Sequence, residues 1–174
     1  FHVENIPTEA YLVIPDVSSE RRPFIPVGFM EPETLASNLV KIVPHADIWH
    51  FGIACSTMHM SWVRTVCGRL KSDYRYSAGI VYNNFPWPIE STEVQRKAIG
   101  NAAQKILDAR AEFANTKLAD LYDPLSMPSA LVKAHQNLDR AVDAAYVPSG
   151  GQKTWASDAE RVAFLFELYQ RLTT

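Results

Sequence analysis

Apolar and polar positions follow two rhythms along this chain, and the change falls near residue 88. In the first part the apolar residues come in short runs bounded by turn-forming residues, as strands do. Tyr11-Leu12-Val13-Ile14, Phe24-Ile25-Pro26-Val27-Gly28-Phe29 and Leu39-Val40-Lys41-Ile42-Val43 are three such runs, and residues 18–23 make a polar turn between the first two. Pro15, Pro26 and Pro44 mark strand ends or edges, because proline cannot donate to a sheet ladder. From Ala46 the spacing becomes helical: Ile48, Phe51, Ile53 and Cys55 are followed by Met58, Trp62, Val63 and Val66, with Ser56 or Thr57 as N-cap. Ile80-Val81-Tyr82 is expected to be a further strand, and Asn83-Asn84-Phe85-Pro86-Trp87-Pro88 a stiff exit from the sheet.

Beyond that exit the pattern predicts three helices. The first spans residues 92–113, capped by Ser91 or Thr92, with Val94, Ala98, Ile99, Ala102, Ile106, Leu107 and Ala109 as its stripe. The second spans residues 129–146, with Leu131, Leu138, Ala141, Val142 and Ala145 on its apolar side. Ser157 caps a third running to Leu172, after a flexible break at Ser149-Gly150-Gly151-Gln152. The expected architecture is α+β: a mixed α/β domain over residues 1–88 and a three-helix domain over residues 89–174. No internal repeat interrupts it.

Composition narrows the classes. The chain has 174 residues, 47% of them hydrophobic and 21% charged, as in an ordinary folded protein. Its net charge of −2 carries no global nucleic-acid signal, so such a role has to rest on a local patch. Two cysteines, Cys55 and Cys67, provide no disulfide framework and fit a reducing, cytoplasmic setting. No apolar run reaches the length of a membrane span. The chain opens at Phe1 on strand-like sequence, which reads as part of a longer protein.

Several constellations are weighed against simpler readings. His45, Asp47 and His50 would be the centre of a small metal hydrolase, but their spacing matches no metal-site pattern and Asp47 serves as well as a helix N-cap. Cys67 lies on the apolar side of its helix, where a thiol is core rather than nucleophile. Met58 and Met60 beside Trp62 read as core too. No catalytic residue and no metal ligand is assigned.

The ribbon after the helix is different. Residues 61–77 stop being helical at Gly68 and alternate from there. On a single strand Lys71, Asp73 and Arg75 share one face, with Leu70, Tyr74 and Tyr76 on the other. Arg64, Arg69, Lys71 and Arg75 stand locally against Asp73 alone, with Arg21 and Arg22 on the turn nearby. Cations suit phosphates. Guanine offers acceptors that suit Lys or Arg, and its paired cytosine a donor that suits Asp. Lys71 and Asp73 therefore form a candidate reader of one G·C pair. The simpler alternative is a salt-bridged surface ladder.

The run Ser56-Thr57-Met58-His59-Met60-Ser61-Trp62-Val63-Arg64-Thr65-Val66-Cys67-Gly68-Arg69-Leu70-Lys71-Ser72-Asp73-Tyr74-Arg75-Tyr76-Ser77, continuing to Val81-Tyr82-Asn83-Asn84-Phe85-Pro86-Trp87-Pro88, resembles the target-recognition region of the MmeI-like DNA methyltransferases. These are bacterial restriction–modification enzymes of type IIG/IIL. Ala119-Asp120-Leu121-Tyr122-Asp123-Pro124-Leu125-Ser126-Met127-Pro128, Leu138-Asp139-Arg140-Ala141-Val142-Asp143-Ala144-Ala145-Tyr146 and Glu160-Arg161-Val162-Ala163-Phe164-Leu165-Phe166-Glu167-Leu168-Tyr169 extend the resemblance over the whole chain. It implies a target-recognition domain with a helical C-terminal domain, preceded in the parent by a nuclease, a helical connector and an adenine-N6 methyltransferase. S-adenosylmethionine, and Mg where the nuclease is present, would belong to the parent, with no cofactor in this chain. The implied partners are double-stranded DNA and the methyltransferase domain of the same polypeptide, with no membrane. The resemblance implies Lys71 and Asp73 as a specificity pair. It implies Arg75 with Leu39 at a second base pair and Asn38 with Asp16 at a third. Leu39 is apolar and shapes a contact without donating one. Arg21, Arg22, Arg64 and Arg69 remain phosphate candidates. The competing expectation is a protein-interaction scaffold whose helical half docks partners.

Overall fold

The computed structural model describes residues 7–147 and 155–174. The expected break at Ser149-Gly150-Gly151-Gln152 lies outside the described residues. Six short strands and six α-helices follow in the order β1 (Tyr11–Pro15), β2 (Val17–Ser18), β3 (Gly28–Met30), β4 (Val40–Val43), α1 (Ile48–Ala54), α2 (Thr57–Val66), β5 (Gly68–Leu70), β6 (Asp73–Arg75), α3 (Glu93–Ala111), α4 (Leu118–Leu121), α5 (Ser129–Ala145) and α6 (Asp158–Thr173). The class is α+β. Two three-stranded antiparallel sheets, ordered β3-β1-β4 and β2-β6-β5, are joined by the single residue Asp16 between β1 and β2.

Helix starts follow from local chemistry. The Asp47 carboxylate accepts from the Trp49 and His50 backbone N–H groups at 3.0 Å each, which makes it the N-cap of α1. Burial pushes that carboxyl up, but the backbone and side-chain contacts of His50 outweigh it and hold it below its usual range. Ser56 caps α2, Thr92 caps α3 with Gln95 completing a capping box, and Ser157 caps α6. Asp139 of α5 adds a second cap to α2, accepting from the Thr57 N–H and hydroxyl at 2.7 Å each.

Two expected strands are corrected. Ile80-Val81-Tyr82 lies in a π-helical turn, Ala78–Tyr82. The indole N–H of Trp62 donates to the Val81 carbonyl at 3.1 Å, and the Asn84 amide donates to the Gly79 carbonyl at 2.8 Å. Those partners satisfy the turn and bury Val81 while Ile80 faces out. Of the run at residues 24–29 only its end pairs, as Gly28 and Phe29 of β3. Phe24 instead stacks on His135 of α5, with ring centroids 3.9 Å apart.

One core runs through both halves, drawing Leu12, Ile14, Phe51 and Trp62 from the first and Ile99, Ile106, Leu138 and Leu165 from the second. Gly52 of α1 lets that helix close on α3: a Cβ there would sit 2.7 Å from the Ile99 side chain. A buried polar chain crosses the same boundary. Arg110 of α3 donates to the Val27 carbonyl at 2.7 Å and to the Tyr122 hydroxyl at 2.5 Å. The Tyr122 hydroxyl lies 2.7 Å from Nε2 of His135, whose Nδ1 lies 3.1 Å from the Cys55 carbonyl. A carbonyl only accepts, so Nδ1 carries the proton and Nε2 accepts from the phenol. Burial, reinforced by the Arg110 charge, holds His135 down to about 3, so the ring is neutral as this pattern requires.

Candidate nucleic-acid interface

Strands β5 and β6 form a hairpin closed by Lys71 and Ser72, with Leu70 opposite Asp73, Arg69 opposite Tyr74 and Gly68 opposite Arg75. This corrects the single-strand reading. Lys71 occupies the turn at φ 57, a left-handed conformation, and not a strand face. The turn also resets the alternation. Directly paired residues point to the same side, so Leu70 shares the face of Asp73, and Arg69 the face of Tyr74. The Arg69 guanidinium lies over the Tyr74 ring, 4.1 Å from its centroid, and donates to the Ser72 carbonyl at 3.0 Å. The outward face of the sheet carries Arg75, Asp73, Leu70 and Val17, with Lys71 at its tip. Val17 and Leu70 are exposed apolar residues there; the sequence pattern put Leu70 on the opposite face and gave no sign of Val17.

The hairpin is anchored from beneath. Tyr74 and Tyr76 are buried. Nδ1 of His59 lies 3.0 Å from the Ala54 carbonyl and Nε2 lies 3.0 Å from the Tyr76 hydroxyl. The carbonyl fixes the proton on Nδ1, so the phenol donates to Nε2. Burial holds His59 down to about 4 and raises Tyr76 well above the usual phenol range, which keeps both neutral. Cys67, at the foot of the hairpin, is buried and its thiol is pushed up by desolvation, so it is core.

Backbone hydrogen bonds then link three predicted residues into one seam. The Tyr76 N–H, next to Arg75, donates to the Asp16 carbonyl at 2.7 Å, and the Asp16 N–H donates to the Leu39 carbonyl at 2.9 Å. Asp16, Leu39 and Arg75 are thereby brought together, with exposed Asn38 beside Leu39. Asp73 sits further along β6, where its carboxylate accepts from the Glu20 N–H at 3.3 Å. Asp16 also pairs with Lys41 at 2.9 Å, a residue that the sequence showed only as a strand member.

The four phosphate candidates divide. Arg21 is exposed. Arg69 is exposed but lies on the Tyr74 side of the sheet. Arg22 donates to the Ala119 carbonyl at 3.2 Å. Arg64 is half-buried and engaged, 2.6 Å from Asp158 of α6 and 3.3 Å from the Pro23 carbonyl.

Structure and site together define an α+β module that presents a charged hairpin on a helical base. Residues 1–89 match the family model described as "MmeI, target recognition domain" and residues 91–174 match "MmeI, C-terminal domain". The chain belongs to the MmeI family, as its target recognition domain followed by its C-terminal domain. It is similar to DNA methyltransferase A of Bacillus subtilis (strain 168), at 47% identity over 166 residues, covering 95% of this chain and 18% of the relative. It is also similar to the type IIL restriction-modification enzyme MmeI, whose structure was solved in complex with DNA. There the identity is 50% and the TM-score 0.91, over 99% of this chain and 22% of that one. The chain thus spans about a fifth of the length of each of these relatives.

Proposed function

We propose that this chain is the sequence-reading module of a longer DNA methyltransferase, and that it selects the duplex site on which the rest of the polypeptide acts. The observation that carries this is the outward face of β6. Asp73 and Arg75 project there with Lys71 at the hairpin tip, on a strand anchored by the buried Tyr76–His59 pair. A rigid two-stranded ribbon fits the major groove, where a base edge is read by donors and acceptors at fixed spacing. Lys71 and Asp73 read one G·C pair, Arg75 with Leu39 a second, and Asn38 with Asp16 a third. Arg21 is the freer cation for phosphates, and Arg69, although exposed, is engaged by the Tyr74 ring and the Ser72 carbonyl. Arg22 and Arg64 serve chiefly to hold the turn and α2 in place, because their guanidinium groups are already engaged. Residues 1–88 do the reading, and residues 89–174 brace them through the shared core.

The chemistry belongs to the longer protein. Its reaction is adenine-N6 methylation with S-adenosylmethionine as methyl donor, in the cytoplasm and with a linked endonuclease in fused members of the family. No residue of this chain takes part in that transfer. Support comes from the family match, from a relative named as a DNA methyltransferase and from a second solved with DNA. The test is a charge exchange, Lys71→Glu with Asp73→Arg, in the full-length protein. The recognised base should change at one position while methylation continues. An unchanged methylated motif overturns the reading and favours the scaffold.

A further inference from the structure

Lys41 lies on β4 opposite Ile14, and its ammonium sits 2.9 Å from Oδ2 of Asp16. The two side chains are 35% and 25% exposed, so the pair is partly open to solvent while one carboxylate oxygen is turned inward. An ion pair so open to water contributes little to folding, and this one leaves hydrogen-bonding capacity unused. Oδ1 of Asp16 has no partner among the described residues, although it is shielded from water. An ammonium donates three hydrogen bonds, and Asp16 takes one of them. The Asp16 backbone is fixed on both sides by Leu39 and Tyr76, which leaves only its side-chain torsions free. The pair therefore holds two free donors beside a carboxylate whose shielded Oδ1 can be turned outward as an acceptor only by rotation about those torsions, on the seam that Leu39 and Arg75 share.

We propose that Lys41 is a further specificity-determining residue, forming with Asp16 a donor–acceptor head that reads a single G·C pair. Across the major groove a G·C pair presents guanine N7 and O6 as acceptors and then cytosine N4 as a donor. Two lysine donors followed by a carboxylate acceptor match that order. An A·T pair presents acceptor, donor, acceptor, and sets a donor against the second lysine proton. This inference rests on the reading of the chain as a DNA-recognition module. It adds to that reading the residue that makes Asp16 part of a two-sided contact.

The experiment uses the full-length protein and methylome sequencing. Lys41→Met keeps the aliphatic stem and removes the donors. Discrimination between the matched site and sites altered at one base pair should fall by about 5- to 150-fold at a single position, the range for one lost base contact. Other positions should keep theirs, and Lys41→Arg should restore much of the loss. Equal slowing at matched and altered sites would mean a merely structural role and would overturn the inference. So would discrimination that stays intact at every position. The exchange at Lys71 and Asp73, run in parallel, separates two failures. If it shifts a base while Lys41→Met shifts none, only the Lys41 assignment falls. If neither shifts a base, the DNA-reading assignment falls as well.

Discussion

Lowering the pH from about 7 to about 4.5 tests the two buried histidines that tie this fold together. His59 is held down to about 4 by burial, and His135 to about 3 by burial and the Arg110 charge, against 6.5 for an unperturbed imidazole. Each ring must also accept a phenol hydroxyl, from Tyr76 or from Tyr122, and a protonated ring loses that acceptor. The unfolded chain takes up protons from about pH 6.5 downward while the folded chain does not. Stability is therefore full above that pH and drains as the pH falls. At about 1.36 kcal/mol per unit, two units correspond to roughly 2.7 kcal/mol for each histidine and about 5 for the pair. Half-buried Asp139 and Asp143 act in the opposite sense. Burial raises both, so they oppose folding at neutral pH and recover part of that as they protonate. These carboxyls lessen the loss without reversing its sign, and the histidine contribution is itself a large share of the roughly 5–15 kcal/mol that holds a typical domain. Urea midpoints taken at intervals over this range should fall steadily below about pH 6.5. A midpoint that stays level between about pH 6.5 and 4.5 would refute the assignment of both rings as neutral acceptors.

Two substitutions test the supports of the hairpin and of the shared core. Tyr76→Phe strands the buried Nε2 of His59 and should cost about 1–3 kcal/mol. It should also speed hydrogen exchange at the Tyr76 and Asp16 amides, and an unchanged midpoint would contradict the anchoring role. Gly52→Ala would place a methyl 2.7 Å from Ile99, 3.1 Å from Ala103 and 3.3 Å from Leu138. Overpacking of that kind should cost about 1–3 kcal/mol in chemical denaturation, and wild-type stability would show that α1 can shift away from α3.

The sequence was most legible where a residue acts on its near neighbours. Asp47, Ser56, Thr92 and Ser157 bond backbone groups two or three residues away, and all four cap helices. What escaped depends on distant partners. Ile80-Val81-Tyr82 has the composition of a strand, yet the Trp62 indole and the Asn84 amide hold it in a turn. Val94 fits the helical stripe of α3 but is 78% exposed, because α3 packs through Ile99, Ala103 and Ile106. The candidate site is visible in the sequence as a charge pattern, and its geometry differs from the single strand expected there. The left-handed turn at Lys71 brought Leu70 to the face of Asp73 and moved Lys71 off the strand. The Asp16–Lys41 pair and the Leu39–Asp16–Tyr76 seam arise from strand pairing across long separations. No local spacing in one sequence reports them.

The claim that this chain reads DNA sequence stands or falls most directly on Lys71 and Asp73. The measurement is competition binding by the full-length protein, wild type and Lys71→Glu/Asp73→Arg, against duplexes that differ at one base pair of the methylated motif. The preferred pair should change at one position, with discrimination there shifting by about 1–3 kcal/mol per contact exchanged and staying level elsewhere. Identical preferences in the two proteins would contradict the account.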